Sequence, residues 1–186
     1  MAKDIQLEKL IKEEVRRQSG PINLIASENY VSPEILAILG SPLTNKYSEG
    51  YPGKRYYPGN RFYDEIESLA QARALKLFGL KPAEWRANVQ PYSGSPANLA
   101  VYLATCQPGD VVMGLNLPDG GHLTHGWKVS AAGIFYKSVP YHVKANGRVD
   151  IDEVWRLARE NKPKLIWMGA TAYVFQLEFE DFAQIA

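Results

Sequence analysis

Gln90-Pro91-Tyr92-Ser93-Gly94-Ser95-Pro96-Ala97-Asn98 and, some twenty residues later, Leu117-Pro118-Asp119-Gly120-Gly121-His122-Leu123-Thr124-His125-Gly126 decide how the rest of this chain is read. In the first stretch, Pro96 has no N–H to lose in a first helical turn, and Ser95 before it is a good N-cap. Gly94 lets the backbone approach an anion closely. Free amides and the positive end of a helix together favour a phosphate, although an ordinary capped helix fits the same residues. The second stretch follows an apolar run, Val111–Leu115, that reads as a buried strand. Ligands of open α/β sheets gather beyond the carboxyl ends of strands. A neutral imidazole there, His122, can stack on a flat ring and donate a hydrogen bond from its edge. The rival readings are a structural loop, or a metal site built from His122 and His125. Two histidines are short of the three or four ligands a metal needs.

Working outward, strands and helices alternate. A short strand near Asn88–Gln90 leads into a helix through Cys106, Pro108-Gly109-Asp110 turns, and Ile134–Val139 reads as a strand. Asn146-Gly147 is a turn, Asp150 caps a helix over Ile151–Asn161, Lys164–Met168 is a strand, and Phe179–Ala186 starts a further helix. This order predicts an α/β layered domain with a largely parallel sheet. Before it, Asp4–Gln18 spaces Ile5, Leu10, Ile11 and Val15 as an amphipathic helix. The organisation expected is a helical arm over 1–20 and one α/β domain over 21–186. Ser32-Pro33 starts a short helix that ends near Gly40, and Asn60 caps a long one through Phe78.

Between those helices, residues 41–60 hold three prolines, three glycines and four tyrosines without a usable period. A long loop inside a compact domain is functional or disordered, and four tyrosines argue against disorder. Glu49, set among them, is placed to exchange a proton with a substrate hydroxyl, and Tyr47 and Tyr57 offer phenols to anions. Taken singly, each also reads as a solvated charge or a packing ring.

Composition excludes several classes. Lys plus Arg is 21 and Asp plus Glu is 20, so charge makes no case for nucleic acid or an anionic membrane. The charged N-terminus lacks the apolar core of a signal peptide, and no apolar run approaches a membrane span. Cys106, the one cysteine, falls in the apolar run Leu99–Cys106 and reads as a buried, inert thiol. A reducing compartment fits, and a cytoplasmic protein is expected.

Four stretches in register carry a resemblance: Leu24-Ile25-Ala26-Ser27-Glu28-Asn29, Leu43–Gly53, Asn88–Ser95 and Gly121–Gly126. From about residue 20 onward the chain resembles serine hydroxymethyltransferase. The resemblance implies the fold-type I (aspartate aminotransferase-like) architecture of pyridoxal-phosphate transferases, with a homodimer or homotetramer carrying sites between subunits. It implies pyridoxal 5'-phosphate as cofactor, tetrahydrofolate as co-substrate, and interconversion of serine and glycine. By position, Gly94 and Ser95 would hold the cofactor phosphate and His122 would stack on its ring. Thr171 would contact its phenolic oxygen, and Tyr47 would reach the phosphate of a neighbouring subunit. Glu49 would move a proton at the substrate or folate, and Tyr57 and Ser27 would position the amino acid. Leu117, Gly121 and Leu123 would line the folate site.

Two departures stand out. Tyr57-Pro58-Gly59 replaces Tyr-Gly-Gly, and Val174-Phe175 stands where Pro-Arg is common. No lysine here has the context of the family's Schiff-base lysine, which threonines and a histidine precede. The aspartate that pairs with the pyridine nitrogen and the arginine for the substrate carboxylate are likewise not met. Phe179–Ala186 stops with no glycine or asparagine signal. The chain is therefore expected to be the N-terminal part of such an enzyme, inactive alone and exposing apolar surface. Another fold-type I aldolase of β-hydroxy amino acids, or a non-catalytic remnant, are the alternatives.

Overall fold

The structure, a computed structural model, describes residues 4–186 and divides into two units, one up to Tyr30 and one from Val31 onward. Met1–Lys3 of the expected arm lie outside the described residues. In the first unit, α1 (Ile5–Ser19) begins where the Asp4 carboxylate accepts the Leu7 N–H at 3.0 Å. Its charges pair along the helix, as in Arg17–Glu14, and none of its residues is buried. After it the chain turns at Ala26-Ser27, with Glu28 N–H on Ile25 C=O.

The second unit opens with α2 (Pro33–Leu39), capped by Ser32 with proline in its first turn. Residues 41–60 are not formless. A short 3-10 turn, Pro42–Asn45, precedes a tight antiparallel hairpin of β1 (Gly50–Tyr51) and β2 (Lys54–Arg55). Pro52-Gly53, with φ +74° at the glycine, supplies the Pro-Gly pattern of a type II turn. The long helix α3 (Arg61–Leu77) follows. Asn60 does stand at its N-cap position, but its amide turns back to donate to Tyr57 C=O at 2.8 Å instead of capping the helix.

No strand forms at 88–90, because the Asn88 carboxamide oxygen accepts the Gln90 N–H at 3.0 Å and curls the chain away from a ladder. The next helix, α4 (Gly94–Thr105), begins earlier than expected, with Ser93 at the N-cap and Pro96 in third position. Proline is harmless there too, since none of the first amides has a helical partner. Three parallel strands follow: β3 (Val111–Leu115), then β4 (Lys137–Tyr141) after the short helix α5 (Ala131–Phe135), then β5 (Leu165–Trp167) after α6 (Ile151–Asn161). The expected strand over 134–139 thus starts late. Ser130 accepts the Gly133 N–H and winds 131–135 into a helical turn first. Asp150 caps α6 as expected, and α7 (Phe179–Ile185) closes the chain.

The sheet runs β4-β3-β5, with Val111–Leu115 in register with Lys137–Tyr141 and Val112–Gly114 with Leu165–Trp167. Strand period two then explains why β3 is apolar throughout. Met113 and Leu115 pack with Val154 and Phe182 of α6 and α7; Val112 packs with Tyr102, Cys106 and Ala132 on the opposite face. Cys106 is buried, as its apolar run predicts. Elsewhere, apolar side chains such as Leu36, Leu39, Phe62 and Leu69 stand exposed, in keeping with the expectation of open apolar surface. Among the described residues no helix is long and apolar enough to cross a membrane.

Candidate functional site

Beyond the carboxyl end of β3 the chain makes two 3-10 turns, Leu117–Asp119 and Leu123–His125, joined by Gly120-Gly121. Gly120 has φ +99° and carries, on its carbonyl, the N–H groups of Thr171 (2.8 Å) and Ala172 (3.1 Å). The loop after β5 is thus laid against the loop after β3, and Thr171 comes beside the glycine pair. Gly121 is packed so closely against Leu115 C=O that no β-carbon fits. Leu123 is exposed, and Leu117 lines a cleft of about 340 Å³ with His122, His125, Trp127 and Lys128.

His122 is held by its own turn. The Thr124 N–H donates to its Nδ1 at 3.1 Å, and the Thr124 hydroxyl lies 2.7 Å from the same atom. The Asn98 amide of α4 donates to that hydroxyl at 2.7 Å, and the Tyr102 phenol of α4 donates to Thr124 C=O at 2.8 Å. Burial pushes the Tyr102 phenol up to about 12, which keeps it a donor. Asn98 and Tyr102 are four residues apart, on one face of α4. One turn above Asn98, the amides of Gly94 and Ser95 have no carbonyl partner among the described residues. A helix end with free donors and a tethered imidazole therefore share one support.

His125 is different. It is buried, stacked on Trp167 at 5.7 Å between ring centres, and accepts the His122 N–H at 3.4 Å through Nδ1. Burial, and secondarily the neighbouring His122, push it down to about 4. Both ring Nδ1 atoms thus face the chain's own N–H groups. Among the described residues no group of three His, Cys, Asp or Glu side chains is placed to hold a metal.

Tyr47, Glu49 and Tyr57 lie elsewhere in the second unit. Tyr47 and Tyr57 face each other at 5.2 Å, with the Lys46 ammonium 5.9 Å above Tyr57. Glu49 lines a cleft of about 520 Å³ with Arg55, Tyr63 and Gln90. Ser27 is an exposed turn residue of the first unit.

Arg55, which the sequence reading passed over, organises the Glu49 loop. Its buried guanidinium (side chain 5% exposed) donates to the carbonyls on both sides of Glu49, Ser48 at 2.6 Å and Gly50 at 2.7 Å. It pairs with Asp64 and Glu67 of α3, both at 2.7 Å. The Glu49 carbonyl itself accepts the Tyr56 N–H at 3.1 Å. The Gly53 N–H and then Arg55 hold the Asp64 carboxyl below its ordinary range. Replacing Arg55 by methionine should speed amide exchange at Tyr56 by about tenfold or more, since charge-assisted bonds at the loop are lost. An unchanged rate would show that the loop holds itself.

A family model described as serine hydroxymethyltransferase matches residues 1–186. The chain belongs to the serine hydroxymethyltransferase family. It is 56% identical over 186 residues to serine hydroxymethyltransferase of Acidothermus cellulolyticus, covering all of this chain and 43% of that protein. Identity to the Sorangium cellulosum enzyme is 56% over 184 residues, covering 98% of this chain and 43% of the relative. For serine hydroxymethyltransferase 4 of Arabidopsis thaliana it is 50% over 190 residues, covering 98% and 40%. The chain thus spans about two-fifths of the length of these relatives.

Proposed function

We propose that this chain supplies the phosphate-binding and ring-stacking part of a fold-type I, pyridoxal-phosphate-dependent glycine hydroxymethyltransferase. Such an enzyme interconverts serine plus tetrahydrofolate with glycine plus 5,10-methylenetetrahydrofolate. The observation that carries the reading is the Asn98–Thr124–His122 tether beneath the free amides of Gly94 and Ser95. Pyridoxal 5'-phosphate presents an anion and a flat aromatic ring, and this donor set fits both. When bound, that group supplies an electron sink for carbon–carbon bond chemistry.

Each residue then has a task of its own. The Gly94 and Ser95 amides bind the phosphate, and His122 covers the ring and excludes water from that face. The Thr171 hydroxyl orients the phenolic oxygen. Glu49 moves a proton at the hydroxymethyl oxygen of the substrate or at the folate. Tyr57 and Ser27 orient the amino acid, Tyr47 reaches the phosphate of a neighbouring subunit, and Leu117, Gly121 and Leu123 line the folate site. The working assembly is a homodimer or homotetramer in the cytoplasm. By itself the chain does not turn over serine. Lys46 donates to Tyr47 C=O and Lys128 lies 5.8 Å over the Trp127 ring, and neither stands beside the free amides in sequence.

Titrating pyridoxal 5'-phosphate into the ¹⁵N-labelled chain tests this. The Gly94 and Ser95 amide signals and the His122 ring signals should shift together and saturate, and borohydride should leave no stoichiometric lysine adduct. Shifts confined to other residues, or a stoichiometric adduct, overturn the reading.

A further inference from the structure

We propose that Asn98 and Thr124 are positioning residues that fix His122 as a single neutral tautomer, with Nδ1 bare and the proton on Nε2. A main-chain N–H only donates, and that of Thr124 points at His122 Nδ1 from 3.1 Å. Nδ1 must therefore present a lone pair. The Thr124 hydroxyl, 2.7 Å from the same nitrogen, can give or take a proton. With Nδ1 already an acceptor for the main-chain N–H, the hydroxyl gives its proton to Nδ1, and the Asn98 amide, donating to the hydroxyl oxygen at 2.7 Å, fits that direction and holds the hydroxyl in place. Directions then agree along the whole chain of bonds, from α4 to the ring.

The other tautomer breaks that agreement. A proton on Nδ1 would set N–H against N–H, and the hydroxyl would lose the acceptor for its own proton. Thr124 is only 6% exposed, so solvent does not repair the loss. A ring flip is opposed for the same reason, since a C–H would replace the acceptor. Tyr102 holds the other side of Thr124 through its carbonyl, at 2.8 Å. The face of α4 that anchors the ring lies one turn below the free amides of Gly94 and Ser95. Ring orientation and anion position are thereby set by one rigid helix, with Nε2–H as the edge left free to donate. What that edge and face meet rests on the pyridoxal reading above. The tautomer is a property of the chain alone, because the hydrogen bonds made to Nδ1 decide which ring nitrogen carries the proton.

Long-range ¹H–¹⁵N spectra of the ¹⁵N-histidine-labelled chain test the proposal, with His122 assigned from the His122→Gln variant. The expected pattern for His122 is an unprotonated Nδ1 and a protonated Nε2. Thr124→Val, which keeps the main-chain N–H, and Asn98→Leu should each raise the Nδ1–H population about fivefold, the worth of one hydrogen bond. Thr124→Ser should return the parent pattern. A purely structural role would leave the tautomer alone in variants whose His142 signals match the parent. A parent His122 protonated on Nδ1 overturns the proposal whether or not any variant folds, and so does a folded Thr124→Val chain whose Nδ1–H population equals the parent's. Adding pyridoxal 5'-phosphate separates the two readings: the expected tautomer without any cofactor response upholds the relay and removes the cofactor assignment.

Discussion

Replacing Gly121 by alanine should destabilise the chain by about 3 kcal/mol, at the upper end of what overpacking costs. A β-carbon at this position would run into the Leu115 carbonyl oxygen, and would sit 2.7 Å from the Leu115 carbonyl carbon and 2.8 Å from Asn116 O. None of these atoms can yield cheaply. Leu115 ends the central strand, paired with Tyr141 across the ladder, and Asn116 O already accepts the Gly121 N–H at 3.0 Å. The backbone must move instead, and the turn that carries His122 moves with it. Gly120 is under a parallel constraint, since its φ is +99° and a β-carbon there would lie 2.9 Å from the Ala172 carbonyl carbon. Urea unfolding reads the effect as a lower midpoint at unchanged slope. A loss under about 1 kcal/mol would mean that the loop is softer than its packing implies. The paired glycines are thus needed for close approach even before any ligand is considered.

That double role shows what the sequence could and could not reveal. Elements with a local cause were legible: Ser32 and Asp150 each cap the helix they precede, and the apolar run at 111–115 is a strand buried on both faces. Errors arose where a short side chain bonded its own backbone. Asn88 and Ser130 each redirect a segment that pattern alone reads as strand. At the candidate site, the glycines and His122 announce themselves by composition and order. Asn98, Thr124 and Arg55 do not, because their partners are distant along the chain: Asn98 meets Thr124 across 26 residues, and Arg55 meets Glu67 across 12. No local period or spacing encodes such a pairing. The one available signal was the family resemblance, whose quoted stretches include Thr124 and stop three residues short of Asn98.

The chain should lose about 3 kcal/mol of stability between pH 6.5 and pH 4 through His125 alone. His125 is 8% exposed and sits over β3 at Gly114, where a β-carbon would lie 2.6 Å from its own Cβ. Stacked on Trp167 and accepting the His122 N–H, it is neutral in the fold, with its titration down at about 4. In the unfolded chain an imidazole titrates near 6.5. Between those values the unfolded state binds the extra proton, so stability rises with pH across the window. The contribution is complete above about 6.5 and is lost as pH falls toward 4. The lowered carboxyls act further down: Glu14, at about 2, is held chiefly by Arg17, and Asp64 lies below its ordinary range. Urea midpoints between pH 7 and pH 5 therefore lie above the range of those carboxyls, and the comparison with a His125 variant separates its share from that of the other two histidines. His125→Gln keeps an acceptor for the His122 N–H and removes the proton site, so its stability should vary far less over the same interval. Equal slopes for the two chains would sink the assignment. Because His122 N–H rests on the His125 ring, charging that ring removes the acceptor and presses a cation against β3. The loop that carries His122 should then be the first part of the second unit to loosen as the solution is acidified.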